Sequence, residues 1–91
     1  MATPAEIAND MAAHADYWQK RDRKTFETCN DAARVIRMFL GGQNVDGRTY
    51  YGLHRRLLDL TSRYSAGRVA GAPNFDRALR ILHQLRAEAT K

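Results

Sequence analysis

Arginine gives this chain its widest scope for chemistry. Arg48, Arg55, Arg56 and Arg63 fall in one stretch, and Arg77, Arg80 and Arg86 in another. A guanidinium presents a rigid fork of N–H donors that suits phosphate and carboxylate oxygens. If the two stretches are antiparallel helices, their arginines frame a cationic groove. Arg55, Arg56, Arg63, Arg77 and Arg80 are therefore candidate contacts to an anionic partner. Aromatic rings lie among them. Tyr17-Trp18 and Tyr50-Tyr51 each place one ring on an apolar stripe and one beside it. The outer rings, Tyr17 and Tyr51, and the surplus apolar Phe39 are candidate contacts that could stack on a base or fill a pocket on a protein. The competing account is a solvated surface partly neutralised by Asp59 and Asp76, with the tyrosines half-buried at its rim.

Catalytic chemistry has thinner support. Cys29 is the only cysteine and sits between Phe26 and Ala33 on an apolar stripe, where a thiol behaves as a small hydrophobe. His14, His54 and His83 are far apart, and no pair of them has metal-ligand spacing on one helix. Asp10 and His14 are one helical turn apart, which fits a solvated pair better than two ligands. No glycine-rich phosphate loop, HExxH or GxSxG run is present. The carboxylates are scattered rather than paired for acid–base work. The expectation is a protein that is not an enzyme, with no cofactor and no metal.

The formal net charge is +5, unevenly placed. Residues 1–19 hold three acids and no Lys or Arg. Residues 20–47 hold six bases against four acids, and residues 48–91 nine against three. An acidic start and a basic end suit an anionic partner or a head-to-tail contact between copies. Compositional drift is the alternative, since twelve of the fifteen bases are Arg. The single cysteine, the absence of a leader-like apolar run, and the lack of about 18 consecutive apolar residues together predict a cytoplasmic protein with no membrane contact.

Helices must position these groups. Tyr50, Leu53, Leu57, Leu60 and Tyr64 recur at steps of three and four, one stripe of a helix over 49–65 with Arg55, Arg56, Asp59 and Arg63 opposite. Gly52 in that helix predicts close backbone contact with a neighbouring helix. Thr3-Pro4-Ala5-Glu6 reads as a capping box that opens a helix over 4–20, with Ile7, Met11, Ala15 and Trp18 buried. A helix over 24–40 follows, with Phe26, Cys29, Ala33, Ile36 and Leu40 as its seam and Gly41-Gly42 as its stop. Asn74 is placed to cap a helix over 74–88 whose seam is Phe75, Leu79, Leu82 and Leu85.

Residues 20–24, KRDRK, admit two readings. They are a connection with Asp22 or Thr25 capping the next helix, or the middle of one long kinked helix from 4 to 40. The apolar phase runs through them at about 3.67 residues per step, near the helical period. A continuous helix would be ~55 Å long, however, against a radius of gyration of ~12 Å for a compact chain of this size. The predicted fold is all-α, residues 1–91 forming a single helical domain of three or four helices. Leu53, Leu57, Leu60, Ile36, Phe26 and Leu82 are its expected core.

The leading functional expectation is a small non-catalytic protein-binding module, such as a bacterial or phage regulator, adaptor or inhibitor, acting through a helical surface with a basic C-terminal half. The alternative is direct nucleic-acid binding, for instance as the small helical subunit of a nucleoprotein complex. A helix-turn-helix does not fit, because the connections near 41–48 and 66–73 are about twice the length that motif uses. A thin core also predicts a homodimer.

Overall fold

Thr3 opens the first helix as its sequence predicts. Its hydroxyl accepts from the Glu6 N–H at 3.2 Å while the Glu6 carboxylate accepts from the Thr3 N–H at 3.2 Å, and Pro4 occupies the first turn. Two of the backbone donors left over at the helix start are thereby satisfied reciprocally. The computed structural model describes residues 3–63 and 72–89, the latter with side chains from Phe75 onward. Among these residues the elements are α1 (Pro4–Trp18), α2 (Arg23–Leu40), α3 (Gly47–Arg63) and α4 (Ala72–Ala89), with no strand.

The chain turns between α1 and α2. Arg21 and Asp22 both donate their N–H to the Trp18 carbonyl, at 3.0 and 2.9 Å. Asp22, which continues the apolar phase in the sequence, is the cap of α2 instead. Its carboxylate accepts from the Lys24 N–H at 3.1 Å and the Thr25 hydroxyl at 2.8 Å. Arg37, late in α2, donates to Asn9 in α1 at 3.0 Å, and with the turn at Trp18–Asp22 joining their other ends the two helices run antiparallel. Two helices folded back on each other thus stand where one long helix was the alternative, and the radius of gyration is 12.2 Å.

α2 ends in a Schellman turn. Gln43 N–H reaches the Met38 carbonyl and Gly42 N–H the Phe39 carbonyl, with Gly42 at φ +74° where a side chain would strain the backbone. α3 starts two residues earlier than its stripe predicts. Asp46 caps it, accepting from Thr49 N–H through its side chain and from Tyr50 N–H through its carbonyl. α4 begins at Ala72, ahead of the Asn74 expected to cap it. The Asn74 side chain, the Tyr64 end of the α3 stripe and the predicted stops at Ala66-Gly67 and Gly71 lie outside the described residues.

Successive helices are neighbours, α4 closes back on α1, and α2 also meets α4 across the centre. α1 and α3 share no contact among the described residues, so they occupy opposite corners of the bundle. Leu53, Leu57, Leu60, Ile36 and Leu82 are buried, with Met11, Ala15, Cys29, Val35, Phe75 and Ala78. Two core expectations are corrected. Phe26 is only half-buried, because it lies one turn into α2 beside the 19–22 turn at the end of the bundle. Leu40 is 48% exposed, because the loop leaves the bundle there and Val45, buried from that loop, packs into the core in its place. No helix among the described residues is long and apolar enough to cross a membrane.

Candidate functional site

The predicted arginines do not converge on one α3–α4 groove. Arg55, Arg56 and Arg63 line a groove of about 500 Å³ between α3 and α2, with Lys24, Thr25, Glu27, Thr28, Asp59 and Leu60. Arg77 and Arg80 are exposed on α4 and are not among its lining residues. The antiparallel pairing of α3 and α4 exists, but α4 turns its seam inward and these two arginines outward. Arg80 pairs with Asp76 at 3.0 Å along its own helix.

Intramolecular partners occupy much of the groove's charge. Arg56 bridges to Asp31 of α2 at 3.0 Å and donates to the Gly52 carbonyl at 3.3 Å, so it staples two helices. Arg63 pairs with Asp59 at 2.9 Å. Such exposed pairs are worth roughly 0–1 kcal/mol, so a phosphate could exchange into them. Arg55 makes no ion pair among the described residues. The groove is therefore only mildly cationic.

A second feature forms on the outward side of α3. Tyr51, Arg55 and Leu58 recur at steps of four and three, one ridge of the helix. Tyr51 is 61% exposed and Leu58 52%. The Tyr51 ring is nonetheless held in place. It meets Tyr50 edge-on at 5.1 Å between centroids, and the Arg86 guanidinium from α4 stacks over Tyr50 and Tyr51 at 4.6 and 5.0 Å. Burial pushes the Tyr50 phenol above its ordinary ionisation range, and the nearby Arg86 charge partly offsets that rise. A ring fixed in this way loses little freedom when a partner covers it.

Gly52 lies beside this ridge and corrects another expectation. A Cβ built there meets nothing within 4 Å among the described residues, so no neighbouring helix there requires the glycine. Gly52 instead lines an open surface notch with Gly47, Arg48, Tyr51 and Arg55.

The remaining candidates lie apart. Tyr17 is 45% exposed on α1, edge-on to Trp18 at 5.1 Å, with Arg21 stacked on it at 4.2 Å. Phe39 is half-buried and edge-on to Tyr50 at 6.5 Å. Leu58 escapes a stripe-based reading because it adjoins Leu57, but its seven-residue spacing from Tyr51 places it on the polar face. Arg86 escapes because the stacking that gives it a role is between helices. Cys29 is fully buried, and desolvation pushes its thiol up to about 12, which makes it a poor nucleophile. No group of three His, Cys, Asp or Glu among the described residues could hold a metal. No family model, curated protein or solved structure matches the chain.

Proposed function

We propose that the protein is a non-catalytic protein-binding module whose contact surface is the outward ridge of α3. The observation that supports this most directly is the pairing of two large, exposed side chains, Tyr51 and Leu58, around Arg55, which makes no ion pair among the described residues. Interface energy concentrates in a few aromatic, apolar and arginine anchors, and Tyr51 is preorganised by Arg86 as such an anchor should be. A role as a regulator, adaptor or inhibitor at work in the cytoplasm is the corresponding biological reading. Nucleic-acid binding is the second reading, and the α2–α3 groove with Lys24, Arg55, Arg56 and Arg63 favours it. It ranks below the first because Glu27 and Asp59 line the same groove and two of its arginines already have carboxylate partners.

Fluorescence anisotropy with single- and double-stranded DNA and RNA, from about 50 to about 200 mM salt, separates the readings, because counterion release makes phosphate binding fall steeply over that range. The expected result is weak binding at most, with no dependence on Arg48 or Arg55. In parallel, a photo-crosslinking residue at position 58 should form nuclease-resistant protein adducts that Tyr51→Ala removes. Micromolar or tighter nucleic-acid binding that collapses with salt and is lost in Arg48→Ala/Arg55→Ala would overturn the protein-module reading.

A further inference from the structure

The α3 ridge has a complement on the same molecule. The exposed residues of α1 form one face, with Glu6, Asn9 and Ala13 along its middle and Asp10, Asp16 and Tyr17 towards its edges. Three acids and no Lys or Arg lie on this helix. Neither Asp10 nor Asp16 makes an ion pair among the described residues, and the same is true of Arg48 and Arg55 on α3. Asp10 and Asp16 are separated by about 9 Å along α1 and by about 120° around it, so they flank its exposed face, while Arg48 and Arg55 form one row about 10 Å long on α3 that can lie between the two carboxylates. Ala13 lies between the first two and Gly52 between the second, so neither face carries a bulky side chain there. Tyr17 and Tyr51 each present a ring at the border of its face, and each ring is already stacked by an arginine.

We infer that the acidic outer face of α1 on one copy docks onto the basic outer ridge of α3 on the next, joining copies of this chain head to tail. The inference rests on the reading of the α3 ridge as a protein-contact surface and names its occupant. Geometry fixes the symmetry. A two-fold dimer in which each α1 meets the other copy's α3 needs both helices on one side of the molecule. They stand at opposite corners, so one two-fold axis cannot satisfy both contacts. The association is heterologous, and it grows into chains or closes into a ring rather than stopping at two copies. This departs from the homodimer that a thin core predicts. Each face is a single helix wide, well below the roughly 800 Å² per partner of a stable interface, so the contact is weak and needs high concentration. Its charge makes it strongest at low salt.

Sedimentation equilibrium of the full chain, from about 10 µM to about 1 mM at low and high ionic strength, tests this. The expected result is a mean mass that rises past that of a dimer with concentration at low salt and falls back at high salt. Two charge-reversed variants sharpen the test, Asp10→Arg/Asp16→Arg and Arg48→Asp/Arg55→Asp. Each alone should remain monomeric, with circular dichroism verifying that it folds. An equimolar mixture should associate again, because each variant supplies the face the other has lost. A monomer at every concentration in low salt overturns the inference, as does association that survives both reversals or stops at a dimer. Photo-crosslinking from position 58 in the purified protein distinguishes this failure from that of the broader reading. No self-adduct in the pure protein, with adducts to other proteins in a lysate, rejects the second copy as occupant and keeps the ridge as a protein-contact surface.

Discussion

At the scale of the residue, Gly52 carries the most information. A glycine inside a helix costs about 1 kcal/mol relative to alanine, and usually a close neighbour explains it. Here a Cβ has open space on the α3 surface. Gly52→Ala should therefore stabilise the protein by about 0.4–1 kcal/mol, chiefly by restricting the unfolded chain. A urea titration checks this as a higher midpoint with an unchanged slope. A lower midpoint would mean that α3 is packed more tightly at Gly52 than the structure has it. If α3 is a contact ridge, the same substitution should weaken association while it raises stability. That combination separates a glycine kept for contact from one left by drift.

At the scale of the element, the α1–α2 turn is decided by a cap. Asp22 lies where the apolar phase calls for a buried residue, yet its carboxylate bonds Lys24 N–H and the Thr25 hydroxyl. The Thr25 hydroxyl bond is the main cause that holds the Asp22 carboxyl below its ordinary value of 3.8. A depressed carboxyl contributes stability above its unfolded value and loses it as the pH falls through its folded value. The Asp22 contribution is thus complete at neutral pH and fades only below about pH 4. Asp22→Ala should cost about 0.5–2 kcal/mol, as loss of a helix cap does. The difference from the parent should shrink in urea titrations as the pH falls from about 6 to about 3, in the window that linkage sets. A pH-independent difference would show that the residue acts without its charge. The substitution Asp22→Asn should keep the cap and lose the pH dependence, since an amide oxygen still accepts from the backbone but does not titrate.

At the scale of the whole molecule, the three buried leucines of α3 hold the bundle around one seam. Leu57 is fully buried, with Leu53 and Leu60 one turn to either side and also buried. Leu57→Ala should cost about 2–5 kcal/mol, because the lost contacts and the residual cavity add. A cost below about 1 kcal/mol in urea would place the core elsewhere, since core truncations of this kind rarely cost so little. Arg56 to Asp31 adds a polar staple between α2 and α3, but as a half-exposed pair it is worth far less than Leu57.

Most of the elements were legible in the sequence, because they rest on interactions between residues close along the chain. The capping box at Thr3, the Gly41-Gly42 stop and the leucine spacing of α3 are short-range rules, and all three appear in the fold. Periodicity could not decide whether residues 19–22 turn, because the apolar phase runs through Asp22 unbroken. Folding α2 back onto α1 depends on what the two stripes can bury together, a long-range gain that spacing along one helix does not report. The candidate surface depended still more on tertiary structure. Which arginines are tied up is set by Asp31 across a helix boundary, and the fixed Tyr51 ring is set by Arg86 from α4. The charge gradient from acidic start to basic end was plain in the sequence. That α1 and α3 stand at opposite corners, facing away from each other, was decided only by how the four helices close.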